Sequence, residues 1–385
     1  MSECPHSKKC SGCQLQNLTY EEQLRLKQVK LIAQLGRYGH VDEIIPMENP
    51  YHYRNKTQAA FGRRDGKVIS GVYQSATGRI VPVDSCLLED EKSDEIVVTI
   101  RKMCTGFKVQ PFDLRTGRGF LRHVMVRRGF VTGEIMVVLV TAPGTFPSKR
   151  SFVNELVRRH PEITTVVWNI NASETALMLG SRSETLYGEG SIKETLCGLS
   201  FRISPRSFYQ VNPVQTEVLY GKAREFAALT GKERVLDAYC GTGTIGLSMA
   251  KNAQEIVGVE VNRDAVKDAR ENAARNGVAN AKFFAGDAGE FMEECARKGE
   301  RFDVVVTDPP RAGCSRKFLE SLLTLAPKRI VYVSCNPETL ARDLFPLTKG
   351  GYRVKKIQPV DMFPMTGHVE SVVCLTRTFN VDMRR

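Results

Sequence analysis

The sequence predicts an α/β protein in which a doubly wound parallel sheet follows a smaller α+β region. From about Arg206 onward, short apolar segments alternate with helical patterns around a glycine-rich turn, as expected for parallel strands joined by crossover helices. From Tyr53 to about Ser200, β-rich runs such as Ile135 to Val140 alternate with turns, which indicates mixed α+β structure. We therefore divide the chain into an N-terminal segment 1–90, a central α+β domain 91–205 and a C-terminal domain 206–385.

The composition is that of an ordinary globular chain. Its 385 residues are 42% hydrophobic and 25% charged, and this length can build two or three cores. The sequence lacks the run of about 18 apolar residues that a membrane-spanning helix needs, and its first residues lack a signal-peptide pattern. We expect a cytoplasmic protein with reduced thiols, no membrane association and no obligate protein partner.

Positive charge is concentrated in the central domain. The formal net charge is +12, and residues 101–160 contain twelve Lys or Arg against three Asp or Glu. Clustered cations bind polyanions by releasing their counterions, which points to a nucleic acid. The alternative is a solvated surface, and charge alone does not separate the two.

The first predicted helix begins at a capping box. Thr19 is the N-cap and Glu22 follows three residues later, whereas Gly39 is expected to end the helix. The predicted apolar stripe consists of Leu24, Leu31, Ile32 and Leu35.

A glycine-rich turn follows the first predicted strand of the C-terminal domain, Arg234 to Ala238. Gly241, Gly243 and Gly246 match the pattern G-x-G-x-x-G, and Glu260 ends the next strand about twenty residues later. Such a turn lets a ligand approach the backbone at a helix N-terminus. Spacing alone fits a nicotinamide dinucleotide equally well.

Two carboxylates favour S-adenosylmethionine instead. Asp237, four residues before the first glycine, would attract a cationic cofactor and repel a pyrophosphate. Asp308 follows another predicted strand, Phe302 to Val306, and open α/β sheets bind ligands at such strand ends.

Cys335 is the candidate nucleophile. It follows the predicted strand Arg329 to Val333 and precedes an Asn-Pro turn, so a rigid support would present its thiol to the cleft. Glu370, at the start of a later apolar strand, is the candidate base. The alternative for a free cysteine is a small buried apolar side chain, and we assign that role to Cys104, Cys197, Cys295 and Cys374.

Together, a thiol, a base and a sulfonium cofactor indicate methylation of a pyrimidine carbon. Oxygen and nitrogen attack a sulfonium methyl directly, but carbon 5 of a pyrimidine needs a thiolate added at carbon 6 first. A base must then remove the carbon 5 proton before the enzyme can leave.

The sequence resembles the RNA uracil-5 methyltransferase family over essentially its whole length. The matching stretches, in order, are Tyr53 to Lys56, Ile203 to Asn212, Leu236 to Gly243, Asp308 to Arg311, Ser334 to Pro337 and His368 to Glu370. The resemblance implies a Rossmann-like methyltransferase domain with Cys335 as nucleophile and Glu370 as proton acceptor. The implied S-adenosylmethionine contacts are Gln210, Tyr239, Thr244, Glu260, Asp287 and Asp308.

Cysteines near the start of the chain form a candidate metal site. Cys4, Cys10 and Cys13 supply three thiolates, Cys86 could supply the fourth, and by spacing zinc and an iron-sulfur cluster fit equally. The resemblance favours a [4Fe-4S] cluster on these four cysteines. It also makes 23S rRNA the leading substrate, because cluster-containing members act on ribosomal RNA more often than on transfer RNA.

The expected product is 5-methyluridine in 23S rRNA. Many relatives begin with a β-barrel RNA-binding domain that we do not find here, so we expect RNA contacts from Arg311 and from residues 115–128. The alternatives are an RNA 5-methylcytosine methyltransferase and a non-catalytic iron-sulfur RNA-binding protein.

Overall fold

The computed structural model describes residues 4–173 and 178–378. The helices in this part of the chain are α1 (Tyr20–Leu35), α2 (Glu91–Gly106), α3 (Lys149–Arg159), α4 (Pro213–Ala227), α5 (Thr244–Met249), α6 (Arg263–Arg275), α7 (Ala288–Arg297), α8 (Arg316–Leu325) and α9 (Pro337–Lys349). The strands are β1 (Lys56–Arg64), β2 (Lys67–Tyr73), β3 (Ile80–Pro82), β4 (Leu121–Arg128), β5 (Ile135–Thr141), β6 (Ile163–Ile170), β7 (Arg182–Tyr187), β8 (Ile192–Leu196), β9 (Leu199–Ile203), β10 (Arg234–Ala238), β11 (Glu255–Glu260), β12 (Ala281–Ala285), β13 (Val304–Thr307), β14 (Arg329–Ser334), β15 (Tyr352–Val360) and β16 (Glu370–Arg377). None of these helices combines the length and apolar character needed to span a bilayer.

The C-terminal sheet confirms the predicted α/β fold. Its strand order is β12-β11-β10-β13-β14-β16-β15, and β10 pairs in parallel with both β11 and β13. Strand β14 continues the parallel set, whereas β16 inserts antiparallel between β14 and β15. The chain order reverses at β10, so the carboxyl ends of β10 and β13 flank a crevice where such sheets bind ligands.

Alternating residues of these strands bury two separate apolar faces. Val304 and Val306 pack into the core beneath α4 and α6, whereas Val305 faces the core formed with α7, α8 and α9. This pattern explains why the strands read as continuous apolar runs, since helices cover both faces of a doubly wound sheet.

A second sheet occupies the centre of the chain, with strand order β3-β2-β1-β4-β5-β6-β7. Helices α2 and α3 cover one face, and Met125, Met136 and Val138 on the other face join the core of the C-terminal sheet. Strands β1 to β3 precede residue 91 and β4 to β7 follow it, so this sheet contains strands from both sides of the proposed division at 90 and 91.

Helix α1 confirms the capping box but corrects the predicted stripe. Thr19 accepts a hydrogen bond from the Glu22 backbone, yet the helix ends at Leu35 with Gly36, not Gly39, as its C-cap. Its buried residues are Gln23, Lys27, Leu31 and Leu35, whereas Leu24 is only partly buried and Ile32 is 51% exposed. The stripe was misplaced because two positions of the buried face are polar.

Lys27 is buried in an ion pair with Asp361. Its Nζ lies 2.6 Å from Asp361 Oδ1 and 3.1 Å from the Phe363 carbonyl oxygen. Burial lowers the pKa of the lysine, and the Asp361 carboxylate opposes that shift. Tyr20 also donates to Asp361 Oδ2 at 2.9 Å, so α1 fixes the start of the loop 361–369.

We expect Lys27→Met to destabilise the protein by about 3 to 5 kcal/mol, because it leaves the buried Asp361 carboxylate without its cation. The measurement is the free energy of unfolding in urea. Lys30→Met on the same helix is the matched control, since Lys30 is half-exposed and its ion pair with Glu338 is long at 3.8 Å. Equal stability of the two variants would contradict a structural role for the pair.

Candidate active site

A cleft of about 630 Å³ opens at the carboxyl edge of the C-terminal sheet. It is lined by the glycine turn at Gly241 and by Asp308, Cys335 and Glu370. These residues lie at the carboxyl ends of β10, β13 and β14 and at the start of the antiparallel β16. The side chains predicted to carry the chemistry therefore line one cavity.

Strand pairing places the candidate nucleophile beside the candidate base. In the antiparallel register of β14 and β16, Ser334 is the partner of Ser371. Cys335 and Glu370 are the next residues beyond that pair, so the register brings them together at this edge, and Glu370 acts electrostatically on Cys335. Two residues distant in sequence thus become neighbours at the mouth of the sheet.

The pKa of each group is raised above its ordinary value. Burial raises the pKa of Cys335 to about 11, with further increases from Glu370 and Asp308, whereas Arg311 lowers it. Burial also raises the pKa of Glu370 well above its ordinary value, Asp308 adds to this, and Arg311 opposes it. Glu370 is 4% exposed, and its Oε2 has no hydrogen-bond partner among the described residues. Arg311 also lines the cleft and is the cation that acts against these carboxyl groups.

The acidic wall suits a cationic ligand. Burial raises the pKa of Asp308 to about 7. A positive charge in the cleft would favour the ionised forms of Asp308 and Glu370, since opposite charges stabilise each other strongly where water is excluded. A pyrophosphate would meet repulsion at the same place.

Asp237 does not face the cleft as the sequence led us to expect. It is 1% exposed and its Oδ2 accepts a hydrogen bond from Gly246 N at 2.8 Å. A Cβ at position 246 would lie 2.7 Å from that oxygen, so the third glycine of the motif is needed for this contact. Burial raises the pKa of Asp237 to about 7. The carboxylate therefore ties α5 to β10 and is absent from the lining of the cleft.

Glu260 holds the glycine turn from the neighbouring strand. Its Oε2 accepts from Gly241 N at 3.2 Å, and its Oε1 accepts from Asn262 N at 2.8 Å. Glu260 lines the cleft, as expected for a residue that would contact a cofactor hydroxyl.

Most of the cofactor residues implied by the resemblance come together, but one does not. Gln210, Tyr239, Thr244, Glu260 and Asp308 line the cleft. Asp287 lies outside this lining and is the N-cap of α7, where its side chain accepts a hydrogen bond from Glu290 N. A carboxylate that follows a strand end can either bind a cofactor or cap the next helix. For Asp287 the position of α7 shows the capping role.

Sequence reasoning missed several residues of the cleft wall. Tyr220 projects from α4 and its hydroxyl lies 3.0 Å from Thr244 Oγ1. Phe208, which is 66% exposed, and Phe363 also line the cleft. The sequence carries no signal for Tyr220, because on α4 it follows the spacing of a core residue.

Arg311 is held by the helix that follows Cys335. Its carbonyl oxygen accepts from Asn336 Nδ2 and from Thr339 Oγ1, both at 3.2 Å. Its guanidinium lies 3.3 Å from Nδ1 of His368, which lies in loop 361–369 two residues before Glu370. The Asn-Pro turn therefore presents the thiol and also anchors the cation that lowers the pKa of that thiol.

The N-terminal cysteines meet around a second cavity of about 300 Å³, lined by Cys4, Cys10, Cys13 and Cys86. Burial raises the pKa of Cys13 to about 11 and that of Cys86 to about 12. Within residues 4–173 and 178–378, however, no three or more His, Cys, Asp or Glu side chains group closely enough to hold a metal ion. The thiols thus share a cavity without forming a coordination geometry.

Loop 361–369 separates this cavity from the cleft. Met365 lines the cysteine cavity, whereas Phe363 and His368 line the cleft. Leu15 N donates to Met365 O at 3.0 Å, and Gly367 N donates to Gln14 Oε1 at 3.2 Å. The cysteine segment therefore supports the loop that leads into Glu370.

Part of the prediction that residues 115–128 contact RNA is wrong. Arg122 and Arg127 are 7% and 3% exposed, and their guanidinium groups donate to the backbone carbonyls of Asn171 and Ser207. Arg128 pairs with Asp90 at 2.7 Å. These arginines pin loops to β4, because a buried guanidinium satisfies carbonyls that would otherwise be unpaired. The charge count of the central domain therefore overstates its free positive surface.

Comparison with known proteins gives a consistent result. A family model described as tRNA (Uracil-5-)-methyltransferase matches residues 189–378. An uncharacterized RNA methyltransferase of Listeria monocytogenes serotype 4b is 46% identical over 97% of this chain and 83% of its own length. A second one, from Halalkalibacterium halodurans, is 45% identical over 97% of this chain and 82% of its own length.

A solved structure shows the same architecture. The Pyrococcus abyssi tRNA (uracil-54, C5)-methyltransferase in complex with S-adenosyl-L-homocysteine superposes with a TM-score of 0.80 and is 32% identical. The match covers 95% of this chain and 86% of that one.

The environment of Cys335 predicts a slow thiol. At pH 8 we expect its alkylation by iodoacetamide to be at least about tenfold slower than that of a free thiol, since a pKa near 11 leaves little thiolate. Arg311→Ala should slow it further by removing the cation. Peptide mapping by mass spectrometry measures the rate at Cys335.

Arg316→Ala is the control, because Arg316 is exposed and pairs with Glu320 outside the cleft. Alkylation of Cys335 at the rate of a free thiol, unchanged by Arg311→Ala, would contradict this description of the site.

Proposed function

We propose that this chain, which belongs to the RNA uracil-5 methyltransferase family, methylates carbon 5 of a uridine in 23S rRNA through Cys335 and Glu370. The family is supported by the 46% identical relative and by the 32% identical uracil-5 methyltransferase structure. The observation that carries the mechanism is the register that sets Cys335 opposite Glu370 in a cleft shared with the glycine turn.

The cleft fits S-adenosylmethionine as the methyl donor. Glu370 Oε2, a buried carboxylate oxygen without a partner among the described residues, faces a site where positive charge would be stabilised. We assign the binding of the cofactor to Gln210, Tyr239, Thr244, Glu260 and Asp308. When bound, S-adenosylmethionine supplies an electrophilic methyl group on a sulfonium.

Cys335 begins the reaction as a thiolate. Arg311 lowers the pKa of the thiol, and positive charge in the cleft would act in the same direction. The thiolate sulfur forms a bond to carbon 6 of the uracil, and the electron pair of the carbon 5–carbon 6 double bond moves toward the carbonyl at carbon 4. Carbon 5 becomes nucleophilic and would accept the methyl group of S-adenosylmethionine, whose bond from the methyl carbon to sulfur would break and leave its electron pair on sulfur, giving S-adenosylhomocysteine.

Glu370 completes the reaction as the base. Once carbon 5 bears both a methyl group and a proton, the carboxylate accepts that proton. The electron pair of the carbon–hydrogen bond re-forms the ring double bond, and the thiolate of Cys335 leaves from carbon 6. Burial raises the pKa of Glu370, so its ionised form is a stronger base than a solvated carboxylate.

The choice of 23S rRNA rests on the cysteines and on the resemblance stated above. We assign a [4Fe-4S] cluster to Cys4, Cys10, Cys13 and Cys86, which line one cavity and would supply the all-thiolate donor set typical of such clusters. Members of the family with this cluster resemble ribosomal RNA enzymes more often than transfer RNA enzymes. The target uridine would need to leave any helix to reach Cys335, which costs least in a loop.

Two substitutions test the chemistry. We expect Cys335→Ala to abolish methyl transfer to 23S rRNA from a strain lacking this protein, because carbon 5 is not activated. Glu370→Gln should accumulate a covalent protein–RNA adduct, seen on a denaturing gel, because the carbon 5 proton stays in place. Nucleoside analysis identifies the product, and a parallel reaction with transfer RNA tests the substrate.

Cys197→Ser is the control for both variants. Cys197 lies outside the cleft, so this substitution should leave activity unchanged. Near-normal activity of Cys335→Ala would rule out Cys335 as the nucleophile. Methylation of transfer RNA alone would identify transfer RNA, and not 23S rRNA, as the substrate. Formation of 5-methylcytidine would identify cytidine, and not uridine, as the target.

Iron content tests the cluster. We expect protein purified without oxygen to be brown and to contain about four iron atoms per chain, and Cys13→Ser to lose most of this iron because one thiolate ligand is gone. Cys197→Ser should retain the iron. Stoichiometric zinc without iron would contradict the cluster assignment.

A further inference from the structure

A second surface feature lies beside the cysteine cavity and plays no part in the chemistry above. It is an open groove of about 740 Å³ between the loop 4–9 and the segment 79–82 at strand β3. The groove and the cysteine cavity share Cys4 and His6 in their walls. We refer to it as the cationic groove.

Both walls of the cationic groove carry positive charge. Lys8 and Lys9 lie on the N-terminal loop, and Arg64 and Arg79 lie on the opposite side. All four are exposed. No Asp or Glu is among the described residues that line the groove, so the positive potential is not neutralised locally.

These cations also lack acidic partners. No ion pair to Lys8, Lys9, Arg64 or Arg79 occurs within the described residues, whereas nearby Arg101 pairs with Asp84 at 2.6 Å. Arg64 donates to the Ile80 carbonyl at 2.9 Å, a contact that orients its guanidinium without neutralising it. Exposed cations without partners keep the full counterion release that binding to phosphates provides.

The two walls are held in place by the fold. Lys9 N and Cys10 N both donate to the His6 carbonyl, at 2.9 and 2.8 Å, which closes the loop that carries Lys8 and Lys9. Ser75 N lies 3.4 Å from Ser11 Oγ and links this segment to the chain between β2 and β3. The spacing between the lysines and the arginines is therefore set before any ligand arrives.

We propose that the cationic groove binds the phosphate backbone of the substrate RNA, away from the base that reacts. The proposal rests on the proposed function for the identity of the polyanion. It also accounts for how the protein holds RNA although Arg122 and Arg127 are buried. The groove adjoins the cysteine cavity, and loop 361–369 lines both that cavity and the cleft, so we infer that one RNA strand contacts both the groove and the cleft.

The test measures binding of a polyuridylate oligonucleotide as a function of salt. Lys8→Gln/Lys9→Gln should weaken binding on the order of tenfold at about 0.1 M salt and reduce the slope of log K against log salt by about 1.4, since each single-strand phosphate contact contributes about 0.7. Arg79→Gln, on the opposite wall, should reduce the slope by about 0.7. The single-turnover methylation rate at saturating 23S rRNA should stay unchanged.

Lys232→Gln/Lys251→Gln is the matched control. Both lysines are exposed, and they lie near the amino ends of β10 and β11, at the edge of the sheet opposite the cleft. Iron content checks that the loop is intact. We expect Lys8→Gln/Lys9→Gln to contain as much iron as the unaltered protein.

Unchanged affinity and slope in Lys8→Gln/Lys9→Gln and Arg79→Gln would overturn the proposal, as would an equal loss in the control. If the unaltered protein methylates no RNA and Lys8→Gln/Lys9→Gln still weakens polyuridylate binding, the groove is supported and the proposed function is rejected. The two ideas therefore fail separately.

Discussion

The antiparallel insertion of β16 beside β14 is the constraint on which the candidate site depends. Because Ser334 pairs with Ser371, the residues just beyond them, Cys335 and Glu370, face each other at the end of the sheet. A parallel strand in this place would have put Glu370 at the opposite edge, far from the thiol. The antiparallel pairing of two strands therefore brings together a candidate nucleophile and a candidate base that are distant in the sequence.

Burial of acidic groups gives this site its chemical character. Glu370 is buried and Asp308 is partly buried, which raises the pKa of both, and Arg311 is the cation that opposes the shift at Glu370 and Cys335. The negative charge of such a site is poorly compensated in the free protein and is well compensated when a positive ligand binds. The same physical property thus links recognition of a sulfonium to activation of the thiol and the base.

The N-terminal segment supports the catalytic strand through loop 361–369. Lys27 and Tyr20 of α1 bind Asp361 at the start of the loop, and Gln23 accepts a hydrogen bond from Met365 N at 2.9 Å. The cysteine cavity lies against the same loop at Met365. The segment with the proposed cluster, the groove proposed for RNA and the strand that carries Glu370 thus form one connected structure.

The sequence by itself determined the features that depend on neighbouring residues: the capping box at Thr19, the parallel strands around the glycine turn, and the placement of Asp308 and Cys335 at strand ends. It did not reveal the inward turn of Asp237, the capping role of Asp287, or the burial of Lys27, Arg122 and Arg127. The burial of Lys27, Arg122 and Arg127 depends on partners distant in the chain, such as Asp361 for Lys27 or the Ser207 carbonyl for Arg127. Local patterns report hydrophobic periodicity and backbone preference, whereas the environment of a charged side chain is set by whichever element packs against it, and only the tertiary structure decides that.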